Sequence, residues 1–219
     1  MKQLQSLKTT SLAILIAIGL FAQTTRSHAA GLETLTVAGG CFWCVEADFE
    51  KVKGVKDAIS GFTGGEVKNP SYKQVVNGGT GHFEAVQITF DPSVVSTDTL
   101  LDLFFRSVDP TDAGGQFCDR GDSYRTAIFS TDSAQTSAAK RAKAAAENAL
   151  GQKIVTPILG SSPFYPADES HQNYYKGSAL VLTRFGPKRQ AAAYKAYRKA
   201  CGRDQRVKEL WGTAAPFVN

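Results

Sequence analysis

The chain has 219 residues, a hydrophobic fraction of 42% and a formal net charge of +5. This is enough apolar material for one domain with a well-filled core. Three of the positive charges, and no negative ones, lie in the first 29 residues, so the rest of the chain carries +2. We therefore expect no nucleic-acid binding, because most of the excess charge belongs to a segment with another purpose.

That first segment has the pattern of a secretory signal peptide. Two lysines precede an apolar run at 11–22, and small residues at 27–29 precede the expected cleavage position. The run is shorter than the roughly 20 residues that a membrane span requires, so we expect no stable membrane anchor after cleavage. The sequence predicts a signal peptide at 1–29, one domain at 30–219, and a periplasmic or extracellular location.

The first elements of the domain surround a pair of cysteines. Alternating apolar residues at 34–38 predict a strand, and helical spacing at 45–52 predicts a helix after a Gly-Gly turn. Cys41 falls at or just before the first turn of that helix. Free amide hydrogens and the helix dipole favour a thiolate there, and such a position can lower the pKa of a cysteine. The sequence leaves open whether Cys41 is a thiolate at rest or becomes one only when substrate binds. Cys44 follows one turn later, near enough to form a disulfide with Cys41.

The remaining elements alternate between strands and helices. Strands are predicted at 55–63, 84–90, 124–129 and 154–159, helices at 97–105, 131–150 and about 190–199, and long Gly-rich loops at 66–83 and 109–123. Loops of this length are more often functional than idle. The order predicts a single α+β domain with a mixed β-sheet, packed helices, a βαββαβ-type core and a C-terminal tail from about residue 186.

Four cysteines follow the leader, namely Cys41, Cys44, Cys118 and Cys201. An exported protein can keep disulfides, and four cysteines allow three pairings that the sequence cannot distinguish. A domain with this much apolar material does not need disulfides in order to fold. Redox chemistry is therefore the more economical interpretation.

Several motifs, in the same order, resemble those of the peptide methionine sulfoxide reductase A family, from about residue 35 to about residue 175. They are the segments 40–46 (GCFWCVE), 69–72 (NPSY), 80–86 (TGHFEAV), 109–111 (DPT), 121–128 (GDSYRTAI) and 171–175 (HQNYY). An ordered set of motifs is far more specific than any one of them.

The resemblance implies reduction of the S epimer of methionine sulfoxide, in proteins or free, as a repair of oxidative damage. It implies a catalytic nucleophile and hydrogen-bond donors to the sulfoxide oxygen. It also implies an aromatic pocket for the methyl group. The implied residues are Cys41 as nucleophile, Glu84, Tyr72 and Tyr124 as donors, Phe42 and Trp43 with Tyr124 as the pocket, and Asp119 beside the site.

These residue types suit the chemistry. A sulfoxide sulfur is weakly electrophilic, and its oxygen leaves only when protonated, so the reaction needs a soft nucleophile and an acid. Cys41 can supply the nucleophile. Glu84 can supply the proton only if burial raises its pKa enough to keep it protonated near neutral pH. Tyr72 and Tyr124 can stabilise charge that develops on the oxygen.

Attack on the sulfoxide should leave a sulfenic acid on Cys41, which a second cysteine must convert to a disulfide. Here the chain departs from much of the family, which carries a small residue where Cys44 stands. We rank Cys44 first, Cys201 on the expected flexible tail second, and Cys118 third. Electrons should come from a thioredoxin-like dithiol reductant in the exported compartment. We expect a monomer without metal or organic cofactor.

Three other functions fit parts of the sequence. A thioredoxin-like oxidoreductase is suggested by Cys41-x-x-Cys44 and Thr156-Pro157, but it would leave the long loops without a purpose. A structural zinc site could use all four cysteines, although a second closely spaced pair is missing. A hydrolase with a Cys–His pair could use His82 or His171, but no oxyanion pattern accompanies them. We also assign Glu46 a structural role near the helix start.

Overall fold

A computed structural model describes residues 31–218. The predicted signal peptide at 1–29 lies outside the described residues. Within residues 31–218, no helix combines the length and apolar character needed to cross a bilayer.

A six-stranded mixed sheet forms the centre of the domain. Its strands are β1 (Glu33–Gly39), β2 (Val55–Thr63), β3 (Phe83–Phe90), β6 (Thr126–Ser130), β7 (Ile158–Gly160) and β8 (Tyr165–Pro166). Their order across the sheet is β7-β6-β1-β3-β2-β8. All neighbours are antiparallel except β6 and β7. The predicted α+β class with a mixed sheet is confirmed.

In the part of the chain that the structure describes, six α-helices accompany the sheet: α1 (Phe42–Phe49), α2 (Tyr72–Val76), α3 (Thr97–Ser107), α4 (Ser133–Leu150), α5 (Gln190–Ala200) and α6 (Arg203–Trp211). Two of them begin as the sequence indicates. The Ser96 side chain caps α3 by accepting from the Thr99 amide, and Asp132 caps α4 by accepting from the Gln135 amide. Helix α4 ends at Gly151, whose φ of 62° lies in the left-handed region that favours glycine.

Two short hairpins complete the described residues. One pairs β4 (Gly115–Gln116) with β5 (Asp119–Arg120), and the other pairs β9 (Leu180–Thr183) with β10 (Gly186–Arg189). Both lie outside the main sheet. Each contributes residues to the same cavity.

The two faces of the sheet bury different amounts of apolar surface. Strand β3 shows the alternation: Val86 and Ile88 join the large core with the helices, whereas Phe83 and Ala85 join a smaller cluster on the opposite face. Helix α1 packs into the large core through Val45 and other buried residues. The start of α1 is therefore held against the ends of the central strands.

Three predicted segments differ in detail. The strand expected at 154–159 begins only at Ile158, because Pro157 has no amide hydrogen to donate to a neighbouring strand. Tyr124, expected to open a strand, lies in a 3₁₀ turn at Asp122–Tyr124. The long loops also contain α2 and the β4–β5 hairpin. Elements this short, in polar and Gly-rich sequence, show no hydrophobic periodicity from which they could be predicted.

The C-terminal segment is more ordered than a flexible tail. From residue 186 it forms β10, α5 and α6, and it is tied to α1 by an ion pair in which Arg198 Nη1 lies 2.9 Å from Asp48 Oδ1. Both side chains are almost fully buried. The expectation of flexibility at Cys201 was therefore wrong, because the basic helix carries a buried contact that its sequence pattern does not reveal.

Candidate active site

Cys41 lies at the N-cap of α1, as predicted, directly after a turn that requires glycine. Gly40 has a φ of +79°, and a Cβ placed there would come within 2.5 Å of Gln116 Cβ. The Cys44 amide donates to the Cys41 carbonyl at 3.0 Å, which closes the first turn. The close approach of β4 to this turn fixes where the Cys41 thiol emerges.

The Cys41 thiol opens into a cavity of about 380 Å³. The cavity brings together residues from α1, α2, β3, the β4–β5 hairpin and the C-terminal elements. Of the residues predicted for the site, it is lined by Cys41, Trp43, Cys44, Tyr72, Glu84, Cys118, Asp119, Tyr124 and Cys201. Residues separated by up to 160 positions in the chain therefore meet at one place.

Glu84 is the buried carboxyl of this cavity, with 1% of its surface exposed. One oxygen, Oε2, accepts from the Phe42 amide at 3.0 Å, while Oε1 is buried and accepts no hydrogen bond within residues 31–218. Burial raises the pKa of Glu84 to about 8, although the Phe42 amide opposes the shift. A carboxyl with this pKa carries a proton at neutral pH.

Tyr72 and Tyr124 place two phenol groups beside Glu84. Tyr72 is the first residue of α2, and that helix begins with a capping box between Ser71 and Gln74. Both tyrosines line the cavity, and burial together with the charge of Glu84 raises the pKa of each. Both groups therefore remain protonated and able to donate.

The two neighbouring thiols shift each other's pKa in opposite directions. Interaction with Cys44, burial and the nearby carboxyls raise the pKa of Cys41 well above its usual value. Interaction with Cys41 lowers the pKa of Cys44 to about 7, with further help from the positive charges of Arg203 and Arg198. Charge at rest therefore belongs on Cys44.

The position of Cys41 at a helix start does not lower its pKa, for two physical reasons. Helix α1 has only eight residues, and its Phe42 amide is donated to Glu84, not to the thiol. Cys41 also faces the carboxyl side of the cavity, where Glu84 and Asp119 disfavour a second negative charge. The cations lie on the Cys44 side.

Stacked rings form one wall of the site. The Trp43 ring lies parallel to that of Tyr174, with centroids 3.8 Å apart, and His171 stacks on both Trp43 and Tyr72. Burial lowers the pKa of His171, so its ring is neutral. Tyr174 lines the cavity and His171 supports Trp43 and Tyr72; both belong to the HQNYY motif, but the sequence did not place them at the aromatic wall.

Phe42 lies behind this wall. Its side chain is 1% exposed and packs against Phe62, Tyr72 and His171, and it is not among the cavity-lining residues. Its contact with the site is the amide that donates to Glu84. The arrangement gives Phe42 a supporting position, and a direct role in substrate binding stays a prediction.

The other two cysteines are joined. Cys118 and Cys201 form a disulfide with a Cα–Cα distance of 4.9 Å, whereas Cys41 and Cys44 are free thiols. Asp119 lies beside the bond, and burial raises its pKa against the opposing charges of Arg203 and Arg184. Sulfurs bonded to each other are not thiolate ligands, so this pairing gives the four-cysteine zinc hypothesis no support.

Two buried arginines of the C-terminal helices were missed by sequence reasoning. Arg203 is 2% exposed, donates to the backbone carbonyls of Gly39 and Ser107, and lies over the Phe117 ring. Arg198 pairs with Asp48, one turn beyond Cys44 on α1. A basic helix is usually a solvated one, so nothing in the local pattern distinguished these two from their exposed neighbours.

Glu46 has the structural role expected of it, but at another place than the helix start. It is fully buried and accepts from the Ser60 hydroxyl and the Asn173 amide. Gln172 also bonds both backbone groups of Ser60. Glu46 therefore connects α1 with β2 and the HQNYY motif, and burial raises its pKa to about 7.

The geometry does not favour the two catalytic alternatives. Cys41 and Cys44 line a cavity together with Tyr72, Glu84 and Tyr124, whereas a thioredoxin-like protein presents its reactive thiol at the surface. The His82 ring accepts from the Gly65 amide through Nδ1 and bonds the Val67 carbonyl through Nε2. His82 is therefore committed to the loop, not to a thiol.

Comparison with known proteins supports the resemblance. The family model for peptide methionine sulfoxide reductase matches residues 33–214. Peptide methionine sulfoxide reductase MsrA 2 of Rhizobium meliloti (strain 1021) is 46% identical over 178 residues, which cover 81% of this chain and 83% of that protein. The MsrA/MsrB protein of Vibrio cholerae is 42% identical over 208 residues, covering 91% of this chain and 52% of that protein. The chain spans about half the length of the Vibrio relative.

Solved structures agree. Methionine sulfoxide reductase A of Corynebacterium diphtheriae superposes with a TM-score of 0.63 at 31% identity, covering 68% of this chain and 76% of that one. Mxr1 of Saccharomyces cerevisiae in its reduced form gives a TM-score of 0.64 at 32% identity, covering 70% and 90%. This chain belongs to the peptide methionine sulfoxide reductase family.

Proposed function

We propose that this protein reduces methionine (S)-sulfoxide, in proteins or free, to methionine. The observation that carries the proposal is the pairing of a thiol with a protonated buried carboxyl in one cavity. Cys41 and Glu84 line the same space, and burial raises the pKa of Glu84 to about 8. The relatives named for this activity are consistent with that chemistry.

The first step is attack of the Cys41 sulfur on the sulfoxide sulfur. Glu84 transfers its proton to the sulfoxide oxygen, while the Tyr72 and Tyr124 hydroxyls donate hydrogen bonds to it. The sulfur–oxygen bond of the substrate breaks and a sulfur–oxygen bond to Cys41 forms. Methionine leaves, and Cys41 becomes a sulfenic acid. The stacked Trp43 ring offers apolar surface to the methyl group.

The cysteine pair provides the base for this step. Cys41 packs against the cluster that contains Cys44, and the pKa of Cys44 is lowered to about 7. The Cys44 thiolate therefore accepts the Cys41 proton as the nucleophile attacks. The raised pKa of Cys41 is then compatible with nucleophilic attack, because a proton acceptor lies beside the thiol.

Cys44 is also our candidate to resolve the sulfenic acid. Its sulfur attacks the Cys41 sulfur, a disulfide forms, and the hydroxyl leaves as water. Support comes from its contact with Cys41 and from the positive charges of Arg198 and Arg203 beside it. Cys118 and Cys201 are bonded to each other and take no part in this step.

A thioredoxin-like dithiol then reduces the Cys41–Cys44 disulfide to two thiols and is itself oxidised to a disulfide. We propose that the protein does this as a monomer in the periplasm or outside the cell, in the repair of oxidised proteins. The support for that location is the signal-peptide pattern at 1–29.

A stereochemically resolved assay tests the activity. We expect wild type to consume only the S epimer of methionine sulfoxide. Cys41→Ser should be inactive, and Glu84→Gln should be slowed by about two to four orders of magnitude, as for loss of a general acid. Full activity in Glu84→Gln would remove the proposed proton donor and leave the nucleophile.

Single cysteine variants test the resolving step. With a dithiol protein as reductant, we expect Cys44→Ser to release one methionine per enzyme and then stop. Cys118→Ser and Cys201→Ser should continue to turn over. Many turnovers by Cys44→Ser would show that another cysteine resolves the sulfenic acid.

A further inference from the structure

Exposed apolar side chains are concentrated on the β9–β10 hairpin. Within residues 31–218 the exposed large hydrophobic residues are Leu32, Val94, Leu180, Leu182 and Phe185. Three of these five lie between residues 180 and 185, and Leu180 and Leu182 are 73% and 87% exposed. Single exposed apolar residues are normal, whereas a concentration of them marks an interaction surface.

The hairpin turns one face to the protein and the other to solvent. Leu180 and Leu182 share the outer face because side chains alternate along a strand, and Pro187 joins them through its register with Leu182. On the inner face, Val181 packs against the cluster that contains Tyr174 and Tyr194. The outer face is therefore a fixed apolar ledge, which we define as Leu180, Leu182 and Pro187.

The ledge is continuous with the candidate active site. Leu182, Thr183 and Arg184 line the same cavity as Cys41. The Arg184 guanidinium lies over the rings of Phe185 and Tyr197, which holds the tip of the hairpin at the cavity mouth. A ligand that extends out of the cavity along this side meets the ledge.

We propose that the ledge binds the polypeptide on either side of a methionine sulfoxide residue and so favours protein substrates over the free amino acid. The inference rests on the proposed function. When the side chain of a methionine sulfoxide residue occupies the cavity, the backbone of that residue lies at the cavity mouth, next to the hairpin. In an extended chain, residues two positions apart project to the same side about 6–7 Å apart, a spacing that matches Leu180 and Leu182. Free methionine sulfoxide has no such neighbours.

The apolar character of the ledge indicates which kind of polypeptide it binds. An apolar ledge recognises segments with apolar residues flanking the methionine sulfoxide, and such segments are exposed when a protein is unfolded. A folded substrate buries the same residues. The ledge therefore fits an extended, unfolded chain and offers little to a polar peptide.

Leu180 gives the sharper test because it is not among the cavity-lining residues. For Leu180→Ser we expect the kcat/KM for a peptide with leucines flanking the sulfoxide to fall about fivefold, since roughly 1 kcal/mol of apolar burial is lost. The fall should appear in KM, with kcat unchanged. The kcat/KM for free methionine sulfoxide should not change. Leu32→Ser, which removes a leucine that is 58% exposed outside the hairpin, is the matched control.

A binding measurement separates this inference from the proposed function. Fluorescence anisotropy of the labelled sulfoxide peptide on Cys41→Ser should show weaker binding when Leu180→Ser is added. If Leu180→Ser left the peptide affinity and KM unchanged, or lowered the kcat/KM for free methionine sulfoxide as much as that for the peptide, the proposed role of the ledge would be wrong. A raised KM for the dithiol reductant with unchanged peptide binding would assign the ledge to the reductant instead. Wild type that binds the peptide through Leu180 but reduces no sulfoxide would refute only the proposed function.

Discussion

Glu84 and Glu46 show how two buried carboxyls on neighbouring elements are given different tasks. Glu46 uses both oxygens as acceptors, from Ser60 and Asn173, and so connects three segments. Glu84 uses one oxygen and leaves the other without a partner within residues 31–218. An unpaired buried acceptor is unfavourable in the folded protein unless it carries a proton or meets a ligand. The incomplete hydrogen bonding of Glu84 is therefore the residue-scale mark of a reactive group.

The activity should depend on pH through two groups. The acid form of Glu84 is lost as pH rises through about 8, so kcat/KM should fall about tenfold per pH unit above that value. The Cys41–Cys44 pair must lose one proton, which places a rising limb near pH 7. A pH profile of kcat/KM checks both limbs. In Glu84→Gln the high-pH limb should disappear, and its persistence would assign that limb to another group.

The same substitution should stabilise the fold. The folded pKa of Glu84 is raised above the unfolded value, so the folded state binds more protons and stability is lost as pH rises from about 4.5 to about 8. Glutamine keeps an acceptor for the Phe42 amide and does not ionise. We expect Glu84→Gln to be more stable than wild type by about 4 kcal/mol at pH 8 and by little at pH 4. Urea unfolding at both pH values measures this; a pH-independent difference would contradict the shifted pKa.

At the scale of elements, α1 is the piece on which the others depend. It carries Cys41 and Cys44 on its first turn, Glu46 toward β2, and Asp48 toward the C-terminal helices. Each contact fixes a different side of an eight-residue helix, which is too short to be stable alone. The position of the thiols therefore depends on contacts with distant parts of the chain.

Removing Arg198 should release the C-terminal helices from α1. Its guanidinium and the Asp48 carboxylate are 8% and 1% exposed, so Arg198→Ala removes the nearest cation from a buried charge and leaves the more distant Lys51 at 3.7 Å and Arg203 at 3.9 Å. We expect a loss of roughly 3–5 kcal/mol in the free energy of unfolding. Because a cation beside Cys44 is also lost, the rising pH limb should move upward. Chemical denaturation and the pH profile measure the two effects.

Arg141→Ala is the matched control. Arg141 pairs with Asp98 at 2.7 Å, but both side chains are more than half exposed. Its removal should change stability by about 1 kcal/mol or less and leave the pH profile unchanged. Equal losses of unfolding free energy in Arg198→Ala and Arg141→Ala would show that burial does not make the Arg198–Asp48 pair more important for stability than an exposed pair.

At the scale of the whole molecule, the Cys118–Cys201 disulfide closes a large loop through the domain. It joins the β4–β5 hairpin to the end of α5 across a sequence separation of 83 residues. The apolar core is extensive enough to fold the domain, so we expect the bond to add to stability without being required for folding. It holds the C-terminal elements, and with them the β9–β10 hairpin, over the cavity.

The double variant Cys118→Ser/Cys201→Ser should fold and remain active. A loop of this length corresponds to about 4 kcal/mol of chain entropy in the unfolded state, so we expect a loss of that order in the free energy of unfolding. Calorimetry under non-reducing conditions checks the loss. Free methionine sulfoxide should still be reduced over many turnovers, and a single turnover would instead place this pair in the electron path.

The fold class, most of the strands and helices, and nine of the residues that line the cavity could be predicted from the sequence. These features follow from local periodicity and from motifs that resemble those of the family in the same order. Features that depend on distant neighbours could not be predicted. The raised pKa of Cys41, the pairing of Cys118 with Cys201, the burial of Arg203 and the ledge at Leu180 depend on the tertiary structure. The physical reason is that a charge, a thiol or an exposed leucine is defined by what surrounds it, and those surroundings come from residues up to 160 positions away.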